Sequence, residues 1–183
     1  MTTTLSLNNV DATTTQEQPM VTIVVVPRER FSYSQQSLES IYAETDYPFE
    51  LVYVDGGSSP QLKAYLEAQS HEKQFKLIRT EHFLSPNRAR NIGIQAANGK
   101  YIVFVDNDVL VQKGWLHKLV DCAEETGATV VGTLTCIDSP VHEVVHNGGG
   151  TTYIEVRTEG NTTGRYAVQK SYLEGKRVSK MSE

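Results

Sequence analysis

Residues 21–26 read Val-Thr-Ile-Val-Val-Val and are closed by Pro27. Every position is β-branched and all but one is apolar, with no alternation that would leave one face to water. Such a run predicts a strand buried on both sides, which is the mark of a parallel sheet covered by helices. Three further segments carry the same message. Leu51–Val54 is a short apolar strand stopped by Asp55-Gly56-Gly57-Ser58, Phe75–Ile78 is a weaker one, and Tyr101–Val105 is the most apolar in the chain.

Between the strands lie helical patterns. Residues 31–44 place Leu38, Ile41 and Tyr42 on one face, with Tyr33 and Ser34 a turn earlier. Ser59 is positioned to cap a helix that has Pro60 at its first position and Leu62, Tyr65 and Leu66 turned inward. Ser85-Pro86 repeats that signal for a helix reaching Asn98, with Gly99 as its stop. The expected fold class is therefore α/β, a mostly parallel, Rossmann-like sheet with helices on both faces.

In such sheets ligands sit beyond the carboxyl ends of the strands. The segments at those ends are Pro27-Arg28-Glu29, Asp55-Gly56-Gly57-Ser58 and Asp106-Asn107-Asp108. No G-x-G-x-x-G follows the first strand, so a dinucleotide site is unsupported. Gly93 to Gly99-Lys100 superficially resembles a phosphate loop, but the spacing is one residue too long and it ends a helix rather than starting one. Asp106-Asn107-Asp108 is more informative. Two carboxylates at the mouth of so apolar a strand can share a divalent cation, and that cation can neutralise a diphosphate. A solvated turn is the plainer reading of a D-x-D taken alone.

These residues do not stand alone. Val21–Pro27 with a later Arg, the strand ending Val54-Asp55-Gly56-Gly57-Ser58, the helix string Ala89-Arg90-Asn91-Ile92-Gly93, and Gly99–Asp108 follow one another at fixed intervals. In that order they resemble the family 2 glycosyltransferases of the GT-A fold, over about residues 21–115. The resemblance implies metal-dependent transfer of a sugar from a nucleoside-diphosphate sugar, a UDP-sugar favoured, to an unknown acceptor. It implies that Pro27, Arg28 and Glu29 line the nucleotide pocket and that Asp55 meets the base through its carboxylate. Gly57 and Asn107 belong to the same nucleotide-sugar-binding set. Arg88 and Asn91 hold the base or diphosphate side, Asp106 faces the ribose or the metal, and Asp108 ligates the metal, Mn2+ or Mg2+. Many relatives carry a second acid or Asn where Gly56 stands, so the base-side contact is weaker here and donor preference is open.

A competing string lies downstream. His142-Glu143-Val144-Val145-His146 is H-E-x-x-H, the zinc-hydrolase signature if it is helical. Its valines lean toward strand, Asn147-Gly148-Gly149-Gly150 ends anything regular, and Thr152 stands where a third ligand of one zinc class would fall. The string reads as a coincidence, a strand and Gly-rich turn on the acceptor side.

Charge and composition exclude other classes. The 183 residues carry 17 basic and 22 acidic side chains, a formal net charge of −5, so no basic stripe for nucleic acid is expected. Cys122 and Cys136 read as reduced thiols. Residues 1–19, rich in Thr, Asn and Gln, read as a mobile tail, and the start lacks a signal peptide, so a cytoplasmic location is expected. Residues 20–135 form the expected nucleotide-sugar-binding half. Residues 136–183 form a hairpin and charged tail on the acceptor side of the same domain. An inverting transferase needs a general base. None is identified among Asp138, Glu143, Glu155, Glu159 and Glu174, so the acceptor half is expected to be cut short, and a donor-binding module without turnover is the alternative.

Overall fold

The computed structural model describes residues 21–28, 30–137, 144–159 and 162–171. It divides the chain into two compact units, one ending at Gly114 and the other starting at Trp115. The expected tail over residues 1–19 and the charged segment after residue 171 lie outside the described residues.

The first unit holds β1 (Val21–Val26), a 3-10 turn (Phe31–Tyr33), α1 (Ser34–Glu44), β2 (Phe49–Gly56), α2 (Pro60–Lys73), β3 (Lys76–Thr80), α3 (Pro86–Ala96) and β4 (Tyr101–Asp106). The four strands form one sheet in the order β3-β2-β1-β4, and every pair is parallel. All six residues of β1 are buried, as its unbroken β-branched run requires.

The register separates the two faces. Val24 pairs with Val52 and Phe104, and Val26 with Asp106, so these side chains share one face. There Val24, Val26, Val52 and Val54 pack against Ala89 of α3, with Ile92 and Ala96 partly buried beside them. On the other face Tyr53 and Phe49 of β2 meet the ring system of Phe75 and Tyr42, and Tyr42 comes from α1. α2 joins that layer through Tyr65, whose hydroxyl donates to Glu39 of α1 at 3.3 Å. Helices therefore cover both faces, as expected.

Coverage is uneven at β4, however. Ile102 and Phe104 are 36% and 41% exposed although their strand is the most apolar in sequence. The reason is positional: α3 lies over β1 and β2, leaving the flank of the edge strand outside its shadow.

Local signals perform differently from site to site. Ser59 caps α2 as expected, its hydroxyl accepting from the Leu62 N–H at 3.3 Å with Pro60 at the first position. Ser59→Ala is expected to cost about 1 kcal/mol of unfolding free energy, the usual value for losing one cap, measurable by urea titration. Ser85 starts α3, but its side chain makes no cap bond. Gly99 does not stop α3, which ends at Ala96 with Ala97 in extended conformation. Its role is close approach. A Cβ on Gly99 would lie 2.6 Å from the backbone nitrogen of Thr22, and the buried Thr22 hydroxyl accepts from the Gly99 N–H at 2.8 Å.

The second unit holds α4 (Trp115–Thr126), the antiparallel pair β5 (Thr135–Ile137) and β6 (Val144–Asn147), and a hairpin of β7 (Gly150–Glu159) and β8 (Thr162–Ser171). The hairpin is the one expected after Gly149, paired from Gly150↔Ser171 to Glu159↔Thr162. His142 and Glu143 lie outside the described residues, while Val144–Asn147 is strand and His146 is exposed on it. A single helical face carrying both imidazoles, which the zinc reading requires, is incompatible with that strand. Among the described residues no helix is long and apolar enough to cross a membrane.

Candidate functional site

The carboxyl ends of β1, β2 and β4 lie side by side because the strands are parallel and in register, Val25 pairing with both Tyr53 and Val105. The sheet thus brings Arg28, Asp55, Asp106 and Asp108 to one rim.

At the end of β2 the carboxylate of Asp55 is 1% exposed and fully engaged within the protein. Oδ1 accepts from the Ser58 N–H at 3.1 Å and Oδ2 from the Ser58 hydroxyl at 2.8 Å. Arg79 of β3 forms an ion pair with Oδ2 through Nη1. It also donates to the Ser58 hydroxyl at 3.0 Å and the Ser58 carbonyl at 3.1 Å. Asp55 and Arg79 are partners in the parallel register, so their side chains leave the sheet on the same face. The arrangement fixes the turn in which Gly57 takes a left-handed φ of +76°. A direct base contact by Asp55 has to compete with these three internal hydrogen bonds.

The neighbouring wall is tight. A Cβ on Gly56 would lie 2.9 Å from the Leu84 nitrogen and 3.1 Å from Pro27 Cγ, and Pro27 is itself buried. An acid at position 56 does not fit here without moving the segment around Leu84.

At the end of β4 three adjacent residues have three different fates. Asp106 is half-buried and shared by two guanidiniums, with Arg28 Nε 3.4 Å from Oδ2 and Arg90 Nη2 3.2 Å from Oδ1. Arg90 is oriented by Asn87 at 3.2 Å and lies over the Phe104 ring, 5.9 Å from its centre. Asn107 is 1% exposed. Its Oδ1 accepts from the Arg28 N–H at 2.7 Å, and its Nδ2 donates to the Ser34 hydroxyl at 2.8 Å. Each end of the amide thus has a partner within the protein, tying β1 and α1 to the strand end, and a donor contact by Asn107 has to compete with these bonds. Asp108 is half-buried and makes no hydrogen bond or ion pair with another described residue. The turn between the acids closes through the Val109 N–H and the Asp106 carbonyl at 3.1 Å.

Burial also reaches Tyr53, two residues before Asp55. Desolvation raises its phenol well above the ordinary tyrosine range, and a hydrogen bond with Ser34 works the other way. The phenol stays neutral there.

Arg88 and Asn91 are exposed on α3 and do not reach Asp106. They line a groove of about 460 Å³ with His82, Phe83, Leu84 and Ile92. Glu29 lies outside the described residues. Sequence reasoning missed two arginines, Arg79 and Arg90. Arg90 stood inside the A-R-N string already noted, two positions from Arg88, and helical geometry turns it toward β4. Arg79 carries no signal until the register of β3 on β2 is known.

This sheet order, with its acids and arginines gathered at the carboxyl rim, defines a domain of the GT-A fold. The chain belongs to glycosyl transferase family 2, whose profile it matches over residues 22–173. A relative called "Uncharacterized glycosyltransferase" from Haemophilus influenzae is 28% identical over 58% of this chain and 33% of its own length. The succinoglycan biosynthesis protein ExoO of Rhizobium meliloti is 31% identical over 61% of this chain and 32% of its own. Among solved structures, the mannosyltransferase PcManGT from Pyrobaculum calidifontis, in complex with GDP-Man and Mn2+, superposes with a TM-score of 0.52. It is 25% identical, and the match covers 67% of this chain and 36% of that one. S. aureus TarS 1-349 in complex with UDP shares the fold at a TM-score of 0.51 and 23% identity, over 66% of this chain and 39% of that one. The chain spans between 13% and 33% of the length of the first curated relatives it matches.

Proposed function

We propose that this domain binds a nucleoside-diphosphate sugar, a UDP-sugar favoured, together with Mn2+ or Mg2+, for transfer of the sugar to an acceptor hydroxyl. The donor-binding part is residues 20–135, and residues 136–183 belong to the acceptor side of the same domain. The observation that carries the reading is the pairing of acids at the end of β4. Asp108 has no partner among the described residues, and it stands two positions from an Asp106 already held by arginines. Carboxylate oxygens are the hard donors that Mn2+ and Mg2+ prefer, so the residues fit such a cation. Asp106 and Asp108 would hold it, and when bound it neutralises charge building on the leaving diphosphate. Arg28 and Arg90 supply positive charge on the same side. Pro27, Gly56, Gly57 and Leu84 shape the wall beside the base, and Arg88 and Asn91 flank it along the groove.

Titrating UDP and GDP with manganese and with chelator tests this. Asp108→Asn is expected to weaken manganese-dependent UDP binding by about tenfold or more, roughly 1.4 kcal/mol. Folding should be almost untouched, because the side chain is half-buried and has no partner among the described residues. Equal metal enhancement in mutant and wild type removes Asp108 from the site. Donor affinity without hydrolysis or transfer would favour a binding module over a transferase.

A further inference from the structure

Asp106 is the site's most contested atom group. One oxygen faces Arg28 and the other faces Arg90, at 3.4 and 3.2 Å. Counting formal charges, Arg28 and Arg90 balance Asp106 and Asp108, so this set of four side chains is neutral. A divalent cation entering alone makes it doubly positive. A nucleotide sugar, with two negative charges on its diphosphate, entering alone makes it doubly negative. The two together leave the balance unchanged.

The two arginines differ in how they are held. Arg90 has a second anchor in Asn87 and a ring beneath it. Arg28 has its backbone pinned by Asn107 at 2.7 Å, while its side chain is 45% exposed and its only described side-chain partner is Asp106. A fixed Cα with a long, unanchored arm can exchange partners without moving the strand end. The Asp55–Arg79 pair, buried and bonded at several atoms, cannot.

We propose that Arg28 is a positioning residue that competes with the divalent cation for Asp106 and moves to the donor diphosphate when donor and cation bind together. It rests on the donor-site reading above and adds to it a coupling device. With Arg28 on Asp106, free metal binds poorly. When a diphosphate offers the guanidinium a bidentate partner, Asp106 is released to the cation. Metal and nucleotide affinities are then linked, each raising the other by the same factor.

The experiment uses the full chain and three forms: wild type, Arg28→Ala and Arg28→Lys. Free Mn2+ binding is followed by electron paramagnetic resonance, alone and with saturating UDP, and UDP binding by calorimetry with chelator. Removing one positive charge beside a divalent cation is worth about tenfold in affinity near a protein surface. Arg28→Ala is therefore expected to bind free Mn2+ about tenfold more tightly than wild type, and UDP in chelator several-fold more weakly. The enhancement of Mn2+ affinity by UDP should fall about tenfold. Arg28→Lys keeps the charge but not the fork, and should fall between the two. A residue acting only on the fold would change melting temperature and leave the coupling factor alone. Mn2+ affinity within twofold in all three proteins, with unchanged enhancement by UDP, overturns the proposal while leaving the donor site standing. Absence of UDP and GDP binding by the wild type, with Mn2+ present, overturns both.

Discussion

Arg79→Leu is expected to lower the unfolding free energy by about 3 kcal/mol, the scale for removing one partner of a buried ion pair. The cause is what remains. Asp55 is 1% exposed, and without the guanidinium its charge keeps only the two bonds from Ser58. For a chain of this size the melting temperature should drop by roughly 6–12 °C. The companion variant decides the mechanism. Adding Asp55→Asn to Arg79→Leu removes the stranded charge, so most of the lost stability should return. If the double variant is as unstable as the single one, the loss comes from packing rather than from an unpaired carboxylate. Because the pair fixes the turn through Ser58 and Gly57, nucleotide affinity should fall with Arg79→Leu even where the protein remains folded.

Gly93→Ala is the second large effect, expected to destabilise by about 2 kcal/mol through overpacking. In an unconstrained helix the same change stabilises by about 1 kcal/mol, since alanine is the better helix former. Packing reverses the sign. A Cβ on Gly93 would lie 2.2 Å from Val24 Cγ1, inside any permitted contact. Val24 is fully buried and β-branched, so it has few rotamers with which to retreat. α3 would have to lift from the sheet, and with it Arg90 would move off Asp106. A thermal melt measures the first consequence and manganese binding the second. In a double-mutant cycle, Val24→Ala should relieve Gly93→Ala, with a favourable coupling of about 1 kcal/mol or more. Strict additivity would show that the two positions do not collide.

Much of the architecture was legible in the chain. Val21–Val26 could only be a strand covered on both sides, and Ser59-Pro60 marked a helix start that the Leu62 hydrogen bond bears out. The acids appeared at the strand ends because short apolar runs terminate visibly in Asp and Gly. Side-chain partners were not legible. Gly99 sat where a helix stop is common, yet its position answers to a backbone contact with Thr22, 77 residues away. Asn107 read as one of the nucleotide-sugar-binding residues, and no local signal showed that it is also a buried tie between β1 and α1. Arg88 was favoured over Arg90, although two positions along a helix are about 200° apart and face different neighbours.

The division follows from range. What the chain determined by itself rests on local rules: β-branching, apolar runs, proline and serine at helix starts, and motif spacing between strand ends. These settle which segments of residues 21–106 are strands and helices, and that acids stand at the rim. Tertiary structure decided which charges meet. Asp55 found Arg79 because β3 pairs with β2 in one register, and a slip of one residue would have turned Arg79 to the opposite face. Asp106 found Arg28 and Arg90 because α3 and the end of β1 converge on the end of β4. No local rule ranks one arginine above another; only the packing of valines and glycines in the sheet and helix decides which guanidinium arrives.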